Sequence, residues 1–562
     1  MRGALGINNM QEKIKNWIKE TLKIEGDFVL VHPKDLKNGD YTFISSLENP
    51  AEDLAKLEKN KLAEIQKIEM VGRFINFYLS RQFFAGQIEE ILNTKNFGQN
   101  KLFSGKKIMV EYTDPNPFKP FHIGHLMTNA IGESIARIYE SSGASVSRAN
   151  YQGDVGLHVA KAIWGLIRNE NLQSKEGPHT LQAENIGKAY AAGAEAYETD
   201  EKDKTEIDEI NKKVYDRSDE KINAIYDWGL EATMKAFEDL YDMLGTQFSF
   251  YFLESLVAPI GEAIVRKNIG KVFTESDGAI VFKGEEFDSK LHTRVFITST
   301  GLPTYETKEF GLALEKFRMN PGMDLSVVIT ANEQMDYMRV VAKALSLTHS
   351  EYESKMKHIT HGMMRFASGK MSSRKGNIIT GESLIKDTIS LVEEKIKDRD
   401  FSEKEKGKVA KVVGVAALKY SILKQSIGGD IVYDFEKSIS FEGDSGPYLQ
   451  YSYARANSVL EKAKKENILP DFEVLPNEAS EVEKLLYRFE EVVLRSAVEN
   501  QPHHIATFLI EVARSFNSYY ANTIIVSKED KISPYKVALT FAFTFVMKKG
   551  LHLLGIVAPE KM

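Results

Sequence analysis

The stretch from Lys106 to Tyr151 constrains this chain most. "KKIMVEYT" (Lys106 to Thr113) is a short run of β-formers. Pro115, Pro117 and Pro120 forbid its continuation, because each lacks the donor that a sheet ladder needs. From His122 the apolar period changes. Leu126, Ala130, Ile131, Ile135 and Ile138 recur at helical spacing, and Gly143 is placed to cap that helix. "SVSRANY" follows as a second strand. Strand, loop, helix and strand make a βαβ unit, the building block of a doubly wound parallel sheet. The 562 residues exceed one core, so several domains are expected around it.

Upstream, a helix over Gln11 to Lys23, strands near Phe28 to His32 and Tyr41 to Ser45, a further helix and "VGRFINFYLS" read as a small α+β unit. From Asn169 to Lys221 the chain is highly charged and reads as a solvated helical insertion. "DGAIVF", "TRVFITS" and "LSVVIT" are short strands in which a second α/β half resumes. From Glu403 onward almost only helix is expected. Val482, Leu485, Leu486, Phe489 and Val493 share one face, as do Ile505, Phe508, Leu509, Val512 and Phe516, so the last third reads as a helical bundle. The divisions expected are 1–104, 105–345 with the insertion at about 171–230, 346–435 and 436–562.

Composition narrows the classes. There is no cysteine, which excludes disulfides and thiolate metal sites and fits a reducing cytosol. The longest uncharged apolar run, Val537 to Met547, is too short to span a bilayer, so no membrane partner is expected. The charged amphipathic opening has no signal-peptide character, and Met10 is a second candidate start. The net charge of −7 gives no basic footprint for a nucleic acid. From Phe441 to the end, 14 lysines and arginines face 16 acids, so any such partner requires charges segregated on the folded surface.

Two segments carry chemistry. His122-Ile123-Gly124-His125 opens a helix after a strand and loop, where unpaired backbone N–H groups and the helix dipole favour an anion. Gly124 gives up roughly 1 kcal/mol of helix propensity, which makes sense where a ligand approaches the backbone closely. The two imidazoles, three residues apart, are placed to donate to phosphate oxygens; the plainer alternative is a pair of surface histidines at a helix start. "KMSSRKGN" (Lys370 to Asn377) adds cations, hydroxyls and a glycine suited to charge developing on a pyrophosphate, or else is a solvated basic loop.

The two in this order resemble the HIGH and KMSKS signatures of class I aminoacyl-tRNA synthetases, and further stretches resemble the arginyl-tRNA synthetase family in particular. "PNPFKPFHIGHL" is similar to its Pro-Asn-x-x-Lys-Pro-x-His-x-Gly-His-Leu, "RANYQGDVG" to its Asn-x-x-Gly-Asp-x-Gly, and "GLPTYETKEFGLAL" to its Tyr-x-Thr-Arg-Asp segment. "GDSGPYLQYSYARANSVL", "SFNSYY" and the closing "LGIVAPEKM" resemble that family's anticodon-binding bundle. The resemblance implies a multidomain chain: a small N-terminal α+β tRNA-elbow domain, a Rossmann-like class I catalytic domain, a connecting region with the KMSKS loop, and an all-α anticodon-binding bundle.

It also implies roles. His122 and His125, with Lys119 and Lys370, would be catalytic. His122, Gly124, His125, Lys370, Met371, Ser372 and Ser373 would bind ATP. Glu111, Asp114, Asn116, Tyr305, Glu309 and Gln334 would surround the arginine. Paired carboxylates beside an aromatic face suit a planar, permanently charged guanidinium, although ordinary surface charge is the plainer reading of Glu111 and Glu309. Tyr448, Gln450 and Tyr451 would meet the tRNA, or else serve as core. ATP with Mg²⁺, L-arginine and tRNA-Arg are the implied ligands, without structural zinc, in a cytoplasmic monomer whose activation step depends on tRNA. The sequence departs from the pattern at Glu309, where the family has Asp, at Asp114, where a small hydroxyl residue is common, and at Ser373, which replaces the second lysine of KMSKS. Lys119 matches a lysine that supplies the missing charge, a role open also to Lys370, Arg374 and Lys375. A catalytically silent tRNA-binding paralogue, or another HIGH-type synthetase or nucleotidyltransferase, is the alternative.

Overall fold

The computed structural model describes residues 10–26, 28–44, 50–367 and 379–562. The chain divides into two compact units. Met1–Leu102, Ser141–Gly143 and Ser440–Met562 make one, and Phe103–Glu140 with Ala144–Ile439 make the other.

The second unit holds a five-stranded sheet: β1 (Lys107–Glu111), β2 (Ser145–Gln152), β3 (Phe250–Leu253), β4 (Leu325–Ala331) and β5 (Met356–His361). The order across it is β5–β4–β1–β2–β3, and every pair is parallel. This is the expected doubly wound sheet. Its strand order reverses between β1 and β4, where such sheets open a crevice at the carboxyl ends of the strands. The helix Ile123–Ser141 returns the chain from β1 to β2, and Gly143 at φ 91° ends it in the left-handed conformation expected of a cap.

The charged segment after Asn169 is helical, over His179–Thr199, Glu201–Asp216 and Glu220–Leu244. Its charges face solvent while Ile186, Ile207, Ile210, Val214 and Ile222 close a core with Val159 and Ile163. One expectation needs correction. "DGAIVF" and "TRVFITS" do not rejoin the parallel sheet; Ala279–Lys283 and Thr293–Ile297 pair antiparallel in a separate three-stranded sheet, and only "LSVVIT" becomes β4. The short link between them favours a hairpin, since a parallel crossover takes a dozen residues or more. After Glu403 the chain is almost only helix, as expected, with one short strand. Glu403–Leu423 belongs to the sheet-bearing unit, and Ile431–Tyr433 pairs parallel with Met364–Phe366.

The first unit joins both ends of the chain. Helix Met10–Leu22 packs on a four-stranded antiparallel sheet through Ile14, Trp17, Ile18, Tyr41, Phe43, Ile75 and Phe77. The expected Phe28 to His32 strand shrinks to Leu30–Val31. Tyr487, from the helical region after Ser440, enters this same core. Around it, Arg81 pairs with Glu483 at 2.8 Å, while His32 and Tyr41 both reach Glu491 at 2.8 Å. The bundle itself comprises Gly446–Lys465, Glu481–Leu486, Phe489–Glu499, His503–Asn522 and Ser533–Leu553. No helix among the described residues is long and apolar enough to cross a membrane.

Candidate active site

A cavity of about 470 Å³ lies at the strand-order reversal, lined by the ends of β1 and β4 and the start of the Ile123 helix. It gathers Glu111, Asp114, Asn116, His122, Gly124, His125, Tyr305, Glu309 and Gln334, residues drawn from three separate stretches of the chain. Lys119 is not on its wall. Its ammonium lies 5.4 Å from the Tyr190 ring; burial first, and the Lys119 charge after it, depress the protonation of both His122 and His125. Lys370, Met371, Ser372 and Ser373, with Arg374 and Lys375, lie outside the described residues.

The loop after β1 is strained. Thr113, Asp114 and Phe118 have φ of 82°, 48° and 66°, a left-handed region costly for side chains other than glycine. Hydrogen bonds hold it there. Asn129 donates to the Thr113 hydroxyl at 3.0 Å, Tyr151 N–H to Asp114 at 2.8 Å, and Gly153 N–H to Asn116 Oδ1 at 3.1 Å. Asp114 thus secures the loop to β2 and also lines the cavity.

The two histidines are not the equivalent donors their spacing suggests. His122 stands just before the helix and is exposed, whereas His125 is buried within it. Their rings stack with centroids 3.4 Å apart. The His122 N–H donates to His125 Nδ1 at 3.2 Å. Burial pulls the His125 imidazole well below its ordinary range, so it is neutral and its single proton sits on Nε2. A side chain at Gly124 would come within 3.1 Å of the His122 ring, so this glycine makes room for the stacked histidine.

One helix, Tyr305–Met319, contributes Tyr305 and Glu309 to the wall. Tyr305 opens it, largely exposed, with the Lys308 ammonium 5.3 Å from its ring. Lys308 pairs with buried Glu254, another wall residue. Lys316, two turns beyond Glu309, is buried and pairs with Glu111 at 2.8 Å. Asp114 and Glu309 keep part of their surface toward the cavity, and among the described residues neither is paired with a cation. Desolvation, reinforced by the charge of Glu111, raises both; Glu309 is pushed up to about 8. Gln334 accepts from the Tyr337 hydroxyl at 3.2 Å. His361 closes the far side, its Nδ1 donating to the Gly362 carbonyl at 2.7 Å.

Sequence reasoning missed Lys316, Lys308, Glu254 and Tyr151. Lys308 stood inside the "YETKEF" segment already singled out, and the seven-residue step from Glu309 to Lys316 marks one helix face. No local signal pairs Lys316 with Glu111, 205 positions earlier.

The profile of the class I (R) tRNA synthetase catalytic domain matches residues 87–435, more than half of the chain. The chain belongs to the arginyl-tRNA synthetase family. The DALR anticodon-binding domain matches residues 449–562. The arginine–tRNA ligase of Clostridium perfringens is 30% identical, aligned over 98% of this chain and 99% of its own length. That of Halothermothrix orenii is 30% identical over 91% and 90%. The structure of Thermus thermophilus arginyl-tRNA synthetase superposes with a TM-score of 0.78 at 22% identity, covering 99% of this chain and 100% of its own. The Plasmodium falciparum enzyme gives 0.76 at 19%, covering 98% and 99%.

In the DALR region, Tyr448, Gln450 and Tyr451 occupy three different environments. Gln450 is fully buried and donates to the Val557 carbonyl at 2.7 Å, so this side chain secures the tail rather than meeting a partner's bases. The half-buried Tyr448 accepts from Asn517 at 3.0 Å. Tyr451, also half-buried, has the Arg455 guanidinium 4.7 Å from its ring.

Proposed function

We propose that this chain is an arginine–tRNA ligase that activates L-arginine with ATP and esterifies tRNA-Arg. The observation carrying this reading is the cavity at the strand-order reversal, which sets acid groups in excess of their lysine partners beside the HIGH helix start. In the first step an arginine carboxylate oxygen attacks the α-phosphorus, the bond to the β-phosphate breaks, and pyrophosphate leaves. In the second, the 2′-hydroxyl of the terminal adenosine attacks the arginyl carbonyl, AMP leaves, and the hydroxyl proton is lost. Mg²⁺ carried by the nucleotide's phosphates would supply neutralisation of the charge that builds on the leaving pyrophosphate.

His125, neutral and with its proton on Nε2, donates to a phosphate oxygen without bringing a charge of its own. His122 packs against it and orders it, and Lys119 sets a positive potential over both. A hydrogen bond that tightens as charge builds on the phosphorus acts on the rate rather than on ground-state binding. Asp114, Glu309 and Glu111 face the guanidinium with Tyr305, while Asn116 and Gln334 hold the polar end of the amino acid. Lys370 and the hydroxyls of Ser372 and Ser373 cover the nucleotide. Tyr448 and Tyr451 mark the side of the bundle that meets the anticodon arm. Functionally the chain divides into an elbow-binding region (1–104), a catalytic domain (105–345), a connecting region (346–435) and an anticodon-binding bundle (436–562). It works as a cytoplasmic monomer.

Arginine-dependent ATP–pyrophosphate exchange, with and without tRNA-Arg, tests this. Exchange that needs tRNA supports both the assignment and the coupling of activation to tRNA. Exchange without tRNA keeps the assignment and removes the coupling. Folded, tRNA-binding protein that neither exchanges nor charges would make this chain a silent paralogue.

A further inference from the structure

The charges around the cavity are unevenly matched. Glu111 and Glu254 each have a lysine, and both lysines lie on helix Tyr305–Met319. Glu309, on the same helix, faces Glu111 from β1, Asp114 from the loop, Glu254 from the start of Glu254–Lys267, Tyr151 from β2 and Tyr337 from Met335–Thr348. Among the described residues the cation acting on it is Lys316, whose ammonium is already hydrogen-bonded to Glu111. Lys316 does not line the cavity; it lies beneath Glu111 with 2% of its side chain accessible. So placed, it touches no substrate and acts only through the carboxylate it holds.

We propose that Lys316 is a positioning residue for substrate recognition: it keeps Glu111 as the fixed anion of the pocket, so that entry of a cationic side chain expels the proton of Glu309. The inference rests on the arginine reading above. Two adjacent carboxyl groups in a poorly solvated wall do not both ionise unless cations compensate them. Lys316 compensates one and the incoming guanidinium compensates the other. The bond that breaks is the Glu309 O–H, its proton passes to solvent, and the carboxylate formed pairs with the substrate. With the Glu309 carboxyl near 8 in the empty site, arginine affinity weakens about tenfold for each pH unit below that value.

The test is calorimetric titration of L-arginine into the full chain saturated with tRNA-Arg. Phosphate and Tris buffers at pH 7, which differ in ionisation enthalpy, yield the number of protons released. Wild-type protein is expected to release at least one, since Asp114 beside Glu309 is raised as well. Lys316→Met removes the fixed counter-ion and leaves the buried Glu111 without its lysine. Release then rises above the wild-type count, and arginine affinity falls roughly tenfold or more while the KM for ATP stays within twofold. Lys316→Arg restores the wild-type count. No proton release by the wild type, or a Lys316→Met protein with wild-type count and affinity, overturns the proposal. So does Lys316→Arg as impaired as Lys316→Met, which would indicate packing alone. Should Lys316→Met fail to fold, the wild-type count and the Lys316→Arg KM values decide. Wild-type protein that neither exchanges pyrophosphate nor charges tRNA would instead refute the arginine reading itself.

Discussion

In the unit made from both chain ends, Glu483 receives Arg81 and Tyr535 on one oxygen and Ser480 on the other, while Glu491 receives Tyr41 on one and His32 on the other. In the cavity of the sheet-bearing unit, Glu111 and Glu254 have lysines, but no cation among the described residues is paired with Asp114 or Glu309. The residue types are alike and the outcomes opposite. A carboxylate matched on both oxygens is a brace between helices and strands. One left unmatched by its own chain is held toward neutrality until a cation arrives from outside. Burial is the larger cause at Asp114 and Glu309, and the want of a paired cation among the described residues adds to it.

The comparison is open to four tests. The largest effect is expected for Glu309→Gln, which should lower kcat/KM for arginine by roughly 10³, the scale for removing one partner of a buried charge pair. The same variant carries a pH signature. Because the folded state keeps this proton up to about 8, while the ordinary value is 4.5, the stability tied to the group is complete below 4.5 and is lost as pH rises toward 8. The melting temperature of Glu309→Gln should therefore exceed that of the empty wild type by a margin that widens from pH 5 to pH 8. A constant margin would show that Glu309 does not titrate there.

Next, Glu483→Ala leaves Arg81 buried beside Tyr535 and should cost about 3–5 kcal/mol in denaturant unfolding. L-arginine affinity should be unchanged, and a loss there would break the division between brace and site. Smaller is Gly124→Ala. It gains up to roughly 1 kcal/mol of helix propensity but crowds the His122 ring, so steady-state kinetics should show a several-fold loss in ATP use with no loss of stability. Smallest is Tyr448→Phe, which removes the acceptor for Asn517 and should cost about 1 kcal/mol by thermal melting.

Periodicity carried much of the fold. The βαβ start, the cap at Gly143 and the two amphipathic faces of the bundle follow from spacing that each segment displays by itself. The destination of the 279–297 hairpin did not, because a short strand of β-formers reads alike whether it joins a parallel sheet or builds its own. In the site, His122, His125, Glu111 and Glu309 were legible through motif and resemblance. The stacking that makes the two histidines unequal was not, since it depends on the ring of a residue just outside the helix folding over Gly124. Gln450 illustrates the reverse: it stands in a motif suited to a ligand, yet packing commits it to the tail carbonyl of Val557.

The sequence by itself determined most of the element types, the proline-rich loop before a helix start, and which residues bear charge. Those are local properties, set by backbone sterics and by the period of apolar side chains. Which carboxylates are matched was decided only by the tertiary structure. Lys316 meets Glu111 across 205 residues and Glu483 meets Arg81 across the length of the chain, and an ion pair depends on distance and desolvation in space rather than on order along the backbone.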